Sequence, residues 1–306
     1  MKFAEANRQY FDSISDTYDS KPWFAKVNNQ VADALRSDLS WVGIPFANSP
    51  DAPDEVRLLD YACGTGLMTR VFGPYVTRTL GIDVSPNMVS TYNTRASSAG
   101  IDPSTVHAIH SDLFDKGNSS PVELSGAEWH DFDLATVGFG FHHFEDVVHA
   151  ARQLKERLRP GGVLLINDFL EGGDVLADER GQPIEGTEGN HAVHTHGHQH
   201  DHKHDHAHHH HHHDQHQAHI EGEEKKHNIA ETTPEFRKKM NDSIVVPHFT
   251  LDGVRKFFEE AGFVDVDIKT MEERSYMEFA GKRLWRTILF ARGRRPVVGE
   301  ASKSEL

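Results

Sequence analysis

Leu58-Leu59-Asp60-Tyr61-Ala62-Cys63-Gly64-Thr65-Gly66 reads as the end of a short apolar strand running into a loop of small residues. Small side chains at 62, 64 and 66 let backbone approach a ligand closely at the mouth of a following helix, for which Leu67–Phe72 has the pattern. Many nucleotide-binding folds share such a loop. A dinucleotide fold would want Gly-x-Gly-x-x-Gly, and that pattern is incomplete: Ala62 holds a glycine position and Thr69 stands where the last glycine would fall. Asp60, at the loop entrance, would repel a pyrophosphate and attract a cation, which disfavours a nicotinamide oxidoreductase.

Outward from this loop, strand, turn and helix repeat. Apolar strands are expected at 56–59, 79–84, 106–109, 132–137 and 163–166. Ser85-Pro86 supplies an N-cap and a first-turn proline for a helix carrying Met88, Val89 and Tyr92 that stops at Gly100. Val147, Val148, Ala151, Leu154 and Leu158 mark another helix, closed by Arg159-Pro160-Gly161-Gly162. Short apolar strands alternating with helices predict a doubly wound, mostly parallel α/β sheet. Upstream, Val27, Val31, Ala34, Leu35 and Leu39 keep helical spacing, and a proline-rich connector at 44–53 reads as an exposed loop. Downstream, Leu251, Val254, Phe257 and Phe258 form a helix face ending at Gly262, strands are expected at 264–268 and 286–291, and 272–284 fits helix or loop.

Two more acids stand where ligands bind in open α/β sheets. Asp83 closes the second strand, where a carboxylate can accept from both hydroxyls of a ribose, and Asp112 follows the third, placed to accept from an adenine amino group. Each alone is an ordinary strand-end or capping aspartate. Three acids at successive strand ends around a small-residue loop point to a nucleoside site.

The 306 residues suffice for a real core, at 37% hydrophobic. No apolar run approaches the roughly 18 residues of a membrane helix, and the polar N-terminus does not read as a signal peptide. One cysteine, Cys63, excludes an internal disulfide and a multi-cysteine metal site; it reads as a small packing residue. The expectation is a cytoplasmic chain, with a nuclear pool as an extension. Thirty-two basic against 47 acidic side chains leave −15, which disfavours broad nucleic-acid binding. Arg286, Arg292, Arg294 and Arg295 are the place for a local basic patch.

These motifs together resemble the class I S-adenosylmethionine-dependent methyltransferases, in their small-molecule, ubiquinone-biosynthesis-like branch. Residues 58–66 are similar to the family's first motif, with Ala62 in place of a common glycine, and Gly81-Ile82-Asp83-Val84-Ser85-Pro86-Asn87-Met88 to its second. Ser111-Asp112 resembles the third, the stretch from Phe132-Asp133-Leu134 to His142-His143-Phe144 the fourth, and residues 158–164 the turn before strand five. Tyr10-Phe11-Asp12 to Tyr18-Asp19 is similar to its cofactor-covering lid. The resemblance covers about 56–170 and 248–292. It implies a seven-stranded sheet with its last strand antiparallel, catalysis by approximation, and S-adenosylmethionine held by Tyr18, Asp60, Ala62, Cys63, Gly64, Gly66, Asp83, Val84, Met88, Asp112, Leu113 and Gly138.

A protonated O or N nucleophile needs a base as well as alignment. His142, His143 and His248 are the candidates, each with a plain alternative in packing or capping; Phe139, Phe141, Phe144 and Phe249 are expected to wall the substrate pocket. Residues 191–219 hold 16 of the 24 histidines, with too few aliphatic side chains for a core, so a disordered tract is expected. His194, His196, His198, His200, His202, His204 and His206 alternate, a spacing that offers overlapping sites for zinc or nickel without implying a metal-dependent function. The resulting map is a helical lid and linker (1–55), a cofactor core (56–170), an insertion (171–247), a completion of the sheet (248–295) and a tail (296–306). It reads as a methyltransferase acting on an O, N or C nucleophile of a small molecule. The rivals are a protein methyltransferase and a metal-binding regulatory protein on the same scaffold.

Overall fold

Strand β1 (Arg57–Tyr61) alternates its burial between two faces: Leu59 and Tyr61 join one apolar cluster, Leu58 the other. The same alternation divides Ala135 and Val137 from Leu134, and Leu164 and Ile166 from Leu165. A strand buried on both faces needs neighbours above and below, and the sequence supplies helices for both. The computed structural model describes residues 3–50, 52–118, 120–192, 233–279, 281–297 and 299. The calls on histidines 194 to 206 fall outside these residues.

Around β1 the sheet runs β3-β2-β1-β4-β5-β10-β7, with β2 at Arg78–Asp83, β3 at Val106–His110, β4 at Phe132–Gly138, β5 at Leu158–Phe169, β7 at Val264–Thr270 and β10 at Ile288–Arg294. All neighbouring pairs up to β5 are parallel, and β10 is antiparallel to both β5 and β7. This is the doubly wound, mostly parallel seven-stranded Rossmann-like sheet that the motifs imply. Order reverses between β1 and β4, so the loops after those two strands open the crevice in which such sheets bind ligands.

Helices α2 (Pro22–Arg36) and α4 (Leu67–Phe72) supply one face through Val27, Val31, Leu35, Met68, Val71 and Phe72. Helices α6 (Val147–Arg157) and α8 (Leu251–Glu260) supply the other through Ala150, Ala151, Leu154, Val254, Phe257 and Phe258. The short α3 (Leu39–Val42) leads into the proline-rich connector. That connector is not wholly exposed: Ile44 and Phe46 are buried, and Phe46 stacks on Phe72 at 6.0 Å. Helix α5 (Pro86–Ser98) packs on β3, its N-terminus capped by Ser85, whose Oγ accepts from Met88 N at 3.1 Å.

Two departures from the sequence reading shape the site. The ambiguous stretch 272–284 is neither helix nor loop. It forms the hairpin β8 (Ser275–Phe279) and β9 (Lys282–Arg286), which pairs with β6 (Val175–Leu176) in a second sheet of order β6-β9-β8. The start of the insertion is therefore folded onto the C-terminal part of the chain, a pairing across more than a hundred residues that local pattern cannot show. Strand β5 also begins earlier than expected, because Gly161 N donates to Arg295 O and Arg295 N to Gly162 O, extending the sheet through the turn.

The four arginines do not make a patch. Arg286 is 2% exposed at the end of β9. Arg292 lies over the Trp41 ring, Arg294 pairs with Asp265, and Arg295 donates to the Leu158 carbonyl.

Candidate active site

The loop after β1 turns through left-handed backbone at Ala62 (φ 52°), Gly64 (φ 49°) and Gly66 (φ 92°). Glycine adopts this freely, whereas Ala62 does so under strain, as does Phe139 (φ 53°) after β4. The two strained turns adjoin: a Cβ on Gly140 would stand 3.2 Å from Ala62 Cβ. A Cβ on Gly64 would meet nothing within 4 Å, so this part of the loop borders open space, as close backbone approach to a ligand requires.

Asp83 ties the loop to the second strand end. Its Oδ2 accepts from Gly64 N and its Oδ1 from Ser85 N, each at 2.8 Å, and burial pushes its pKa up to about 6. Asp60 does a different job from the cation attraction expected of it. Its carboxylate is 1% exposed: Oδ2 accepts from Thr69 N at 3.0 Å and Thr69 Oγ1 at 2.6 Å, and Oδ1 from Thr136 Oγ1 at 3.4 Å. It braces the start of α4 from beneath, and burial raises its pKa to about 7. Cys63 is buried too, packed where a Cβ on Gly81 would come 3.1 Å from its Sγ, and burial pushes the thiol well above its ordinary pKa. That is a packing cysteine, not a nucleophile.

Helix α1 (Phe3–Ile14) and the turn after it cover this loop. Asp12 Oδ1 accepts from Ser85 Oγ at 2.6 Å and Asn87 N at 3.3 Å, at the N-terminus of α5. Asp19 accepts from Thr65 Oγ1 at 3.1 Å and pairs with Arg95. Tyr18 lies beneath, its hydroxyl pKa raised by burial and by the charges of Asp19 and Asp83.

Two cavities open on the two sides of this assembly. One, about 610 Å³, is lined by Ala62, Val84, Asp112, Phe114 and Phe144 among others, with α1 over it through Ala4, Glu5, Asn7 and Arg8. Asp112 faces it while its Oδ1 accepts from Tyr61 Oη at 3.3 Å and Phe114 N at 2.9 Å. The side chains of Met88 and Leu113 are in the core, 1% and 0% exposed, so only their backbone can serve a ligand; Leu113 N donates to Tyr61 Oη. Gly138 ends β4 opposite Asn167, where a Cβ would stand 3.0 Å from Met68 Cγ.

The other cavity, about 440 Å³, is aromatic: Tyr10, Phe11, Tyr18, Trp23, Phe24, Phe139 and Phe169 line it, with Phe236 and Met240 of α7 (Pro234–Ser243). Of the expected pocket phenylalanines, Phe139 lines this cavity and Phe144 the first. Phe141 and Phe249 are core residues, Phe141 stacked on Phe257 at 5.3 Å.

The candidate histidines separate. His143 lines both cavities, and its Nδ1 donates to Ser243 O at 2.6 Å, which leaves Nε2 as the acceptor. Burial holds its pKa well below the ordinary value, with the neighbouring His142 adding to the effect, so the ring is neutral near pH 7. His142 lines the aromatic cavity, and its Nδ1 donates to Asp168 Oδ1 at 2.9 Å. His248 lines neither: its Nε2 bonds Asp174 Oδ2 at 2.7 Å. Asp174 Oδ1 in turn accepts from Arg286 Nε at 2.9 Å, and Oδ2 from the backbone N–H groups of His191 and Ala192. Burial alone would raise the Asp174 pKa, but His248 and Arg286 outweigh it and hold the carboxyl low. His248 is thus a member of a buried polar cluster behind the cavity wall.

Residues 31–268 match a family model described as a methyltransferase domain. The chain belongs to this methyltransferase family. Among curated relatives, an uncharacterized methyltransferase, C1347.09 of Schizosaccharomyces pombe, is 31% identical over 40% of this chain and 41% of its own length. The uncharacterized methyltransferase YcgJ of Bacillus subtilis is 28% identical over 41% and 45%, and a demethylmenaquinone methyltransferase of Bacillus cytotoxicus 26% over 51% and 58%. The chain thus spans less than half the length of the first two relatives. The crystal structure of YcgJ covers 80% of this chain and 94% of its own at 13% identity, with a TM-score of 0.44. Among the described residues, no group of three His, Cys, Asp or Glu could hold a metal ion, and no helix is long and apolar enough to cross a membrane.

Proposed function

We propose that the protein transfers a methyl group from S-adenosylmethionine to an O or N nucleophile of a small molecule, with His142 as the base. The observation that carries this is the position of His143, which lines both the nucleoside-sized space beside Asp112 and the aromatic space beside His142. Asp83, Asp112, Val84 and the 62–66 loop are the residues to hold the nucleoside, and the Gly64 opening and buried carboxylate of Asp83 fit that group. When bound, S-adenosylmethionine supplies an electrophilic methyl on a sulfonium centre.

This chain's own residues do the rest. The aromatic walls orient the acceptor, which is the main source of rate in an in-line displacement. Asp168 fixes the His142 tautomer so that Nε2 can take the acceptor's proton, and the carboxylate faces the charge that then develops on the ring. Neutral His143 accepts no such charge and serves as wall and hydrogen-bond acceptor. Arms of the lid, Asp12 and Asp19, exclude water from above. A cavity of about 440 Å³ suits a small acceptor better than a protein side chain carried on a folded surface.

Calorimetric titration with S-adenosylmethionine, S-adenosylhomocysteine and NADH tests the reading. Micromolar binding of the sulfur nucleosides alone supports it. Binding of NADH instead, or of none of the three, overturns it.

A further inference from the structure

The aromatic cavity is basic in an acidic chain. Its wall carries Lys21, Lys282, Arg283 and Arg286 against one carboxylate, Glu278, whereas the chain as a whole stands at −15. Glu278 is set against Arg283 at 3.7 Å, and Asp174, behind the wall, against Arg286. Lys282 donates to the carbonyl of His191 at 2.7 Å, a neutral acceptor, so its charge is matched by no carboxylate among the described residues. Three of the four cations come from one strand, β9, which runs from the exposed rim at Lys282 and Arg283 to the buried Arg286. Burying an arginine at a cavity wall is costly unless its charge is used or paired. Here Asp174 pairs with Nε and the Pro247 carbonyl accepts from a terminal nitrogen, so Arg286 is held inside the wall and the accessible charge is that of Lys282 and Arg283 on the rim.

Phe169 relates these cations to the proposed base. The Arg286 guanidinium carbon lies 3.6 Å from the centroid of the Phe169 ring, and the His142 ring 5.7 Å from the same centroid, so base and cation are at most about 9 Å apart. Phe139 stacks on that ring at 5.0 Å, so the two rings form an apolar part of the cavity wall beside His142. A proton acceptor, rim cations and an aromatic lining within one cavity of about 440 Å³ suit a compact aromatic ring that carries both a nucleophile and an anionic group.

Resting on the methyltransferase reading, we infer that the acceptor is a compact aromatic anion. Its ring carries the O or N nucleophile, directed to His142, and a carboxylate or phosphate directed to the exposed rim cations Lys282 and Arg283. The anionic end fixes which ring position meets the base, so the same cluster sets regiochemistry as well as affinity.

The test uses the full chain loaded with S-adenosylhomocysteine, whose own binding is measured first. The probes are 4-hydroxyphenylacetate and its neutral isostere 4-hydroxyphenylacetamide, followed by calorimetry. The acid should bind at least about tenfold more tightly than the amide, a difference of about 1.4 kcal/mol. Changing the exposed rim residues together, Lys282→Gln with Arg283→Gln, should shrink that ratio to under about threefold and leave S-adenosylhomocysteine binding as it was. Competition by inorganic phosphate at millimolar concentration would support a phosphate ester as the natural anion, and its absence a carboxylate. Equal or tighter binding of the amide, binding of neither probe, or an acid preference that survives the double change overturns the inference. Failure of S-adenosylhomocysteine to bind overturns the methyltransferase reading instead.

Discussion

Asp168 grips His142 twice: its Oδ1 accepts from the ring Nδ1 at 2.9 Å and its Oδ2 from the backbone N at 3.1 Å. One carboxylate at the end of β5 thereby sets both the position and the tautomer of the ring.

Replacing His142 with Gln should lower kcat by about 10²–10⁴, the usual weight of a positioned base, with S-adenosylhomocysteine affinity unchanged within about twofold. Asp168→Asn should also lower kcat, because an amide can present its NH₂ to Nδ1 and turn the proton to Nε2. Steady-state kinetics checks both. Loss of kcat with acceptor KM nearly unchanged supports the base role, and a His142→Gln kcat within about twofold of the parent would place the base elsewhere.

Asp83→Ala removes the acceptor shared by Gly64 N and Ser85 N and should free the loop as well as strip the ribose partner. The expected outcome is at least about tenfold weaker binding of S-adenosylhomocysteine by calorimetry, the scale of one or more lost charge-assisted hydrogen bonds. Unchanged affinity would mean that the nucleoside lies elsewhere.

Asp60 and Asp83 also carry a pH signature. Burial raises both above their ordinary value of 3.8, to about 7 and about 6, so the folded chain holds these protons more tightly than the unfolded one. Their contribution to stability is fully present below pH ~4 and is lost as pH rises through 6 to 7. Asp60→Asn keeps an acceptor for Thr69 and offers a donor to Thr136. Denaturant unfolding of the cofactor-free variant should therefore show a shallower loss of stability between pH 4 and 7 than the parent does.

Asp174→Ala should be the most damaging single change among the polar residues, at about 3–5 kcal/mol, since it leaves Arg286 buried without its counter-charge. His248→Phe should cost about 1–3 kcal/mol through the lost hydrogen bond to the Asp174 carboxylate, whose Oδ2 keeps the N–H groups of His191 and Ala192, while changing kcat by less than about fivefold. Urea unfolding paired with kinetics checks both, and a large kcat effect at His248 would restore it as the base.

Most of the sheet was legible because local patterns report it: Leu58 and Leu59 divide between two faces, and Ser85-Pro86 starts a helix where capping chemistry says one should start. The acids Asp83 and Asp112 were visible by the rule that ligands gather at strand ends. Asp168 obeys the same rule but lies beyond the 163–166 strand that the apolar run marks, because β5 continues through it to Phe169. Arg286 and Asp174 could not be found this way. Their pairing depends on β6 meeting β9 across 112 positions of sequence, and no local period encodes such a partner. Phe141 and Phe249 read as pocket residues in the sequence, whereas both join the core, Phe141 stacked on Phe257.

The small sheet has a consequence for how such a protein can be redesigned. β8 and β9 bring one wall of the aromatic cavity, and neither contributes a residue to the loop held by Asp60 and Asp83. Substitutions on these two strands can therefore reshape that cavity while the loop keeps its hydrogen bonds. Cavity and loop are thus separable by design, with the small sheet as the part to recut.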